Sequence, residues 1–592
     1  MVADLYVDIL IVGAGPAGAS LAAFMGQNGS SSTKALSQRT TYSLTFLQHR
    51  AERTCCSQGL DHGVYTPSPW SQSLCTRTFT GQEYGRVAAF EEKPAVAGLL
   101  RQITPCEYVD LPQRYLEPIF GRYASHHNFN IRFSTELTHV EPVKQNDGPD
   151  AYLCTLQDHI TRKTFQIQTK YLFGADGGRS VVSRSLGFEY KSNPVNVKAC
   201  NVLIRADLSR YMYKEREASL HWIINPGNRV FPGVFGHLRA VRPWNEWVML
   251  AFGPGGSNPF EGLTKDDPKI AACVGEMVGD ESLSVEVLAM DHWSVRDSVA
   301  TEYNKSGSNA FILGDAAHRH PPNYGLGSNT CIQDAYNLAW KVAFVSRGLA
   351  GRSLLDTFTV ERHPVGSTLV RESNAQLRAN NDIFAALGMT ASTPEEGIEQ
   401  AAELASGSSA GRNRREKLHQ ALETKRQELE SLGLGYNHWY TSDAVYTAEE
   451  SSPRPGFSGD PIVEVQVSTY PGSRLPHAWI DIPSRGNMTS TIDLAGGGSF
   501  CLITGVGGEA WRAAADAVQQ TTGIPIKSFG IGARLDFIDV HRDWFKLRGV
   551  EDDGVVLVRP DRFVAWRSVG MVEDCAEKLK QVLDAVLARY AL

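Results

Sequence analysis

The rhythm of apolar and polar positions changes several times along this chain. Residues 7–12 (VDILIV) form a short apolar run rich in β-branched side chains, the pattern of a buried strand. "GAGPAG" follows and opens onto the apolar segment "ASLAAFMGQNG". Strand, glycine turn and helix are therefore predicted in direct succession. Between residues 80 and 190, strand-like stretches ("NIRFSTELTHVEPV", "AYLCTLQD", "TFQIQTKYLFGADG") accompany one helical segment, "QRYLEPIFGRYASH". Residues 197–300 are β-rich, as in "VNVKACNVLIRADL", "EWVMLAF" and "LSVEVLAMDHWSV". "NAFILGDAAH" predicts another buried strand, and residues 328–350 a long apolar helix. Residues 391–435 turn polar, with a Gly/Ser tract and a charged helix, and predict an exposed helical connector. From about residue 460, strands in "SFCLIT", "IKSFGIG" and "GVVLVRPDRFVAW" alternate with helices at 508–520 and 572–590, the pattern of a small α/β sandwich.

Bulk properties narrow the function. A chain of 592 residues has room for two to four domains. Its net charge of −7, with no long basic run, argues against nucleic acid or an anionic membrane as partner. No transmembrane segment is expected, because no run of about 18 apolar residues occurs. No secretory signal is expected either. Ten scattered cysteines without a C-x-x-C pair, and only Cys55 and Cys56 adjacent, fit a reducing compartment, so a cytoplasmic setting is expected. No metal site is expected.

Three segments carry candidate chemistry. Gly13, Gly15 and Gly18 form G-x-G-x-x-G between a strand and a helix. The first glycine permits the tight turn, the second lets a pyrophosphate approach the backbone, and the third lets helix and strand pack closely. The free N–H groups at the helix start then favour phosphate. A tight turn without ligand is the bland alternative. In "YLFGADGGRSVVSRSLG" (171–187) an Asp-Gly pair follows a strand and precedes Arg179-Ser180 and a helix, which is unusual for a plain turn; a hairpin turn is the bland alternative. In "NAFILGDAAHRHPPNYGLGSNTCIQDAYNLAWKVA" (309–343) a strand ends at Gly314-Asp315, Pro321 and Pro322 fix a turn, and Gly325 and Gly327 keep the loop free of side chains. Asp315 could accept a ribose or ribitol hydroxyl, or merely cap a helix.

Together these segments, in this order, resemble the FAD-dependent aromatic hydroxylases, class A flavoprotein monooxygenases of the p-hydroxybenzoate hydroxylase fold. "DLPQRYLEPI" (110–119), "RPWNEW" (242–247), "RHPPNYGLGSNTCIQDAYNLAWK" (319–341) and "PGSRLPHAW" (471–479) look like the phenol hydroxylase and chlorophenol monooxygenase branch. The resemblance implies an α/β fold in five parts. An FAD-binding Rossmann-like domain spans 1–195 and resumes at 301–390. A β-rich substrate domain spans 196–300, a helical connector 391–455, and a thioredoxin-like domain 456–592. The last lacks C-x-x-C, so a packing or homodimer role is expected of it rather than a redox one.

The resemblance also implies roles. Gly13, Gly15 and Gly18 would bind the ADP half of FAD. Gln113 would contact the flavin, Asp176 and Gly177 would lie near FAD and NADPH (or NADH), and Asp315 would reach the ribityl chain. Pro322, Gly325, Leu326, Gly327 and Ser328 would line the flavin ring, and Arg39 in "SQRTT" would be the family's arginine near FAD. The implied reaction hydroxylates a phenolic ring with O2 through a flavin C4a-hydroperoxide, consuming NAD(P)H. No base is assigned: His221, Trp222, His237, His292 and Trp293 are pocket candidates, each more often core or surface than catalytic. A flavin halogenase fits poorly, since "LHWIINPG" does not match its tryptophan motif.

One stretch departs from the family. After the glycine helix, residues 29–60 read "GSSSTKALSQRTTYSLTFLQHRAERTCCSQGL". No β-branched run occurs, and no acidic residue stands between Gly18 and Glu52 to meet the adenosine ribose. The second strand is therefore expected to be missing around 28–57, through a gene-model error or a genuine loss, with weakened FAD retention. The alternative function is a cofactor-deficient or mis-spliced relative acting as a non-catalytic binding protein.

Overall fold

The computed structural model describes residues 3–28, 33–36, 46–47, 72–88, 98–106, 109–145, 151–212, 218, 220–242, 244–482 and 488–589. Strand β1 (Leu5–Val12) leads through the glycine turn into α1 (Pro16–Gln27), and β2 (Thr33–Leu36) follows. A hairpin comes next, β3 (Gln72–Thr76) and β4 (Glu83–Ala88). Helix α2 (Gln113–His126) then precedes four strands: β5 (Phe129–Arg132), β6 (Thr135–Val143), β7 (Ala151–Asp158) and β8 (Thr164–Gly174). The middle of the chain supplies β9 (Lys198–Arg205), β10 (Leu220–Ile224), β11 (Phe235–Arg242), β12 (Glu246–Phe252), α3 (Pro268–Val278) and β13 (Glu286–Ser294). Strand β14 (Ala310–Ile312) and the long helices α4 (Gly327–Ser346), α5 (Thr357–Ala386) and α6 (Ser409–Leu429) follow.

The first sheet has the order β5-β2-β1-β8-β7-β6, with β14 also on β8. β1 runs parallel to both β2 and β8, so the glycine turn emerges at the carboxyl end of adjacent parallel strands, where ligands of α/β sheets sit. Helix α1 is buried from Ala17 to Met25 because small side chains let it lie tightly between the sheet and its neighbours. Phe24 anchors it edge-on against Phe120 of α2 (6.2 Å) and Tyr336 of α4 (5.0 Å). Burying one such side chain stabilises by about 1.5–3 kcal/mol.

The second sheet runs β13-β9-β12-β11-β10-β3-β4. Its strands alternate by two. On β11, Leu238 and Ala240 face a core with Ile270, Val274 and Met277 of α3, while Phe235, His237 and Arg239 face the other way.

The C-terminal unit is a sheet in the order β16 (Ile526–Gly530), β15 (Phe500–Thr504), β17 (Val555–Val558), β18 (Val564–Ser568), with helices α7 (Glu509–Thr522) and α8 (Cys575–Val586) packed on it through Trp511, Val518 and Leu579. This is the thioredoxin-like arrangement. Trp340 and Phe344 of α4 meet Phe500 edge-on at 6.0 and 5.8 Å. Beside them, buried Glu361 accepts from Arg559 Nη1 (2.6 Å), Lys341 Nζ (2.7 Å) and Ser442 Oγ (2.6 Å). No helix among the described residues is long and apolar enough to cross a membrane.

Three expectations need correction. The second strand is not missing: β2 fills the slot between β1 and β5, paired in parallel on both sides. Its four residues, Thr-Lys-Ala-Leu, have no strand pattern of their own, and two flanking ladders supply what propensity does not. The hairpin β3–β4, counted above with residues 1–195, pairs with β10 in the second sheet instead. The segment 391–455 is not a merely exposed connector, because α6 buries Leu418, Ala421 and Lys425 against α5 and β4.

Candidate active site

Gly13 adopts φ +103°, and a Cβ there would sit 2.1 Å from the Ala175 carbonyl oxygen, so only glycine closes this turn. At Gly18 a Cβ would meet the Gly13 oxygen at 1.9 Å; this glycine lets helix and strand approach and sits behind the cleft rather than in it. Gly15 differs. Its backbone (φ −71°, ψ −173°) suits any residue, and the nearest atom to a Cβ would be Glu117 Oε1, 3.8 Å away. No contact among the described residues demands glycine there. The N-terminus of α1 lacks a side-chain cap, so its first N–H groups face the cleft unanswered by any side chain.

Strand β8 ends beside this turn and delivers Asp176. Its Oδ2 accepts from the N–H groups of Val181 (2.6 Å) and Val182 (3.2 Å), while Oδ1 is buried without a partner among the described residues. Burial raises the Asp176 carboxyl above its usual range, against the pull of Ser180 and of the backbone N–H groups. Gly177, at φ +71°, presents nothing but backbone to the cleft, with no atom within 4 Å of a Cβ position.

Strand β14 delivers Gly314 and Asp315. The loop that follows is held from behind by buried Asp334, which accepts from Gly314 N–H (3.2 Å) and Arg362 Nε (2.7 Å) and meets His318 Nε2 (2.8 Å). Burial alone would raise the Asp334 carboxyl; Arg362 and His318 hold it below its usual range. Asp315 is exposed to the cleft. Tyr324 takes φ +69°, a strained backbone for a side chain of this size, and its packing with Leu326, Leu369 and Leu434 holds it there.

Gly13, Gly15, Gln113, Asp176, Gly177, Asp315, Pro322, Gly325, Gly327 and Ser328 thus line one cleft of about 2470 Å³. Gln113 stands at the start of α2 and donates to Glu117 Oε1 at 2.5 Å. Leu326 is a correction: its side chain points into the apolar cluster behind the loop, not into the cleft. Arg39 lies outside the described residues.

The opposite wall is the second sheet. Strand phase sorts the candidates named above. His221 is buried in the core behind the sheet, 4.2 Å from the Phe79 ring, whereas Trp222, His237, His292 and Trp293 line the cleft. Aromatic rings dominate this wall. Phe235 stacks on Phe252 at 4.9 Å and meets Phe384 of α5 at 4.4 Å; Phe252 meets Trp293 at 6.2 Å. Sequence reasoning missed Phe235, Phe252 and Phe384, although the alternation in "FGHLR" carries part of that signal. It also missed α6. Lys425 lies 4.6 Å from the Trp222 ring and donates to Asn380 Oδ1 (2.8 Å), and Glu428 accepts from Asn323 of the glycine loop at 2.8 Å.

A phosphate-ready turn, an acid-bearing strand end and a glycine loop therefore face an aromatic wall across one cleft. Residues 6–373 match the family described as FAD binding domain, and residues 468–589 match the aromatic-ring hydroxylase C-terminal domain. The chain belongs to the FAD-dependent aromatic-ring hydroxylases. The hydroxylase is 34% identical to the phenol 2-monooxygenase of Pseudomonas sp. (strain EST1001), over 98% of this chain and 92% of that one. It is 32% identical to the 2,4-dichlorophenol 6-monooxygenase of Delftia acidovorans, over 98% of both. A solved structure, the flavin-dependent monooxygenase PieE in complex with FAD and substrate, superposes with a TM-score of 0.89 at 31% identity, covering 99% of this chain and all of the other. The hydroxylase is an FAD-dependent monooxygenase, and the reading as a non-catalytic binding protein finds no support among these relatives.

The residues present fit FAD. Gly15 leaves open the volume a Cβ would fill, at an uncapped helix start, and Asp176 Oδ1 awaits a partner.

Proposed function

We propose that the hydroxylase inserts one oxygen atom of O2 into a phenolic ring at the expense of NAD(P)H. FAD, when bound, supplies the redox and oxygen-activating chemistry. Gly13 and Gly15 and the start of α1 hold its pyrophosphate through backbone N–H groups, with Gly18 keeping the helix close enough to do so. Asp315 accepts from the ribityl chain. Gln113 contacts the flavin, Asp176 and Gly177 lie near both FAD and NAD(P)H, and Pro322, Gly325, Gly327 and Ser328 present a nearly side-chain-free surface to the flavin ring, with Leu326 anchoring that loop from behind. The aromatic wall orients the substrate ring by stacking and excludes water from the reacting face.

The observation that carries this reading is the convergence of three distant segments on one cleft whose far wall is aromatic. The names of the relatives supply the substrate class: phenol and 2,4-dichlorophenol in two of them. The test is NAD(P)H oxidation by the FAD-loaded protein across a panel of one- and two-ring phenols. Stimulation by a phenol, with a product heavier by one oxygen, is expected. A yellow protein that oxidises NAD(P)H at the same rate with and without every phenol would defeat the reading.

A further inference from the structure

Several polar groups that line the cleft are already engaged. His292 Nδ1 pairs with Asn258 Nδ2 at 2.7 Å. His320 Nδ1 is 2.6 Å from the Pro321 carbonyl and is spent on it. Glu428 accepts from Asn323 and pairs with Lys425. His237 is different. It projects from β11 into the cleft, its ring 4.1 Å from that of Trp222, with Phe235 and Phe252 on the same wall, and its Nε2 is enclosed without a partner among the described residues. A buried nitrogen left unpaired is costly, and its neighbours here are aromatic faces that offer it no hydrogen bond.

We propose that His237 binds the substrate directly, its imidazole nitrogen accepting a hydrogen bond from the phenolic hydroxyl while the surrounding rings stack on the substrate. This rests on the phenolic reading above. The partner supplies an O–H where the ring nitrogen that meets it is the bare one of the neutral imidazole, its other nitrogen carrying the proton. The surroundings keep the ring neutral. Burial first, then the positive charge of Lys425, push the His237 pKa down to about 3. Lys425 itself is fixed over the Trp222 ring by Asn380 and Glu428. His237 is therefore a poor resting place for a full proton at neutral pH. It orients the hydroxyl rather than stripping it.

The experiment compares 2-naphthol and phenol with their methyl ethers, 2-methoxynaphthalene and anisole, which keep the ring and lose the O–H. Binding is followed by calorimetry on the FAD-loaded protein, and KM and kcat by NAD(P)H oxidation. Wild type should bind each phenol at least about fivefold more tightly than its ether. In His237→Phe that preference should vanish through a rise of about 5- to 50-fold in KM for the phenols, with ether binding unchanged; His237→Asn, which keeps an acceptor, should recover part of it. Equal affinity of wild type for phenol and ether overturns the proposal without requiring any variant. So does a His237→Phe enzyme that keeps the preference. If wild type responds to phenols while either of these results appears, only the role of His237 falls. If no phenol stimulates wild type, the phenolic reading falls and the role of His237 with it.

Discussion

The three glycines of the first turn should fail in different ways, and the difference tests the reading of the cleft. In Gly13→Ala the new Cβ lands 2.1 Å from the Ala175 carbonyl oxygen, more than 1 Å inside ordinary contact, at φ +103°. The left-handed backbone costs about 1–2 kcal/mol and the overlap about 1–3 more. Gly18→Ala meets the Gly13 oxygen at 1.9 Å; the helical preference for alanine, about 1 kcal/mol, offsets only part of that. Gly15→Ala meets nothing closer than 3.8 Å and has an ordinary φ of −71°, so folding should change by less than about 1 kcal/mol. On the proposed mode of FAD binding, however, its methyl group stands where the pyrophosphate approaches. Losing one charge-assisted hydrogen bond, at about 1.5–3 kcal/mol, weakens FAD about 10- to 150-fold. Thermal melting of the apoprotein and flavin fluorescence titration separate the two quantities. Gly13→Ala and Gly18→Ala should melt several degrees low. Gly15→Ala should melt like wild type and bind FAD poorly. A Gly15→Ala protein with wild-type FAD affinity would refute the argument, as would one that melts as low as Gly13→Ala.

Three further outcomes follow from buried groups. Arg559→Met should cost about 3–5 kcal/mol, read as a lowered urea midpoint, because it leaves buried Glu361 and Asp561 short of a cation; a loss below about 1 kcal/mol would contradict this. Acid should destabilise the fold from pH 6.5 downward: His237 and His320 have folded pKa values of about 3 and 4, so the unfolded chain takes up their protons first, at about 1.4 kcal/mol per pH unit for each. His237→Phe should make urea midpoints measured between pH 7 and 4 fall less steeply, and an unchanged slope would count against it. Every described cysteine is buried, and burial pushes Cys75, Cys154, Cys200, Cys273 and Cys501 up to about 12, so a thiol reagent should label at most two of the ten cysteines in the native protein and all ten after unfolding.

What the sequence displayed and what it hid divide along a physical line. The turn at Gly13–Gly18, the Asp176-Gly177 pair, the strand end at Asp315 and the loop at Gly325–Ser328 are contiguous stretches whose shape the backbone sets. Backbone that must bend or stay bare requires glycine and proline at fixed spacings, and those spacings are visible in one dimension. The helix 113–126 was equally plain, since its own periodicity makes it. The four residues of β2 were not, because Thr33–Leu36 become a strand through the ladders on either side and through nothing local. The aromatic wall was hidden for a related reason. Alternation along "LHWII" shows that His221 and Trp222 face opposite ways, but not which of them faces a ligand; that phase is set by α3 packing behind the sheet. Lys425, 188 residues beyond His237, has no sequence relation to it at all. The polar helix that carries Lys425 looked like a solvated connector, because a lysine placed over a tryptophan ring and a lysine in water are written with the same letter. If His237 is the substrate anchor, the substrate-binding half of this cleft is specified by contacts between elements. Relatives that share every glycine of the cofactor half can then differ in the ring they accept by changing a handful of positions on β10, β11, α5 and α6.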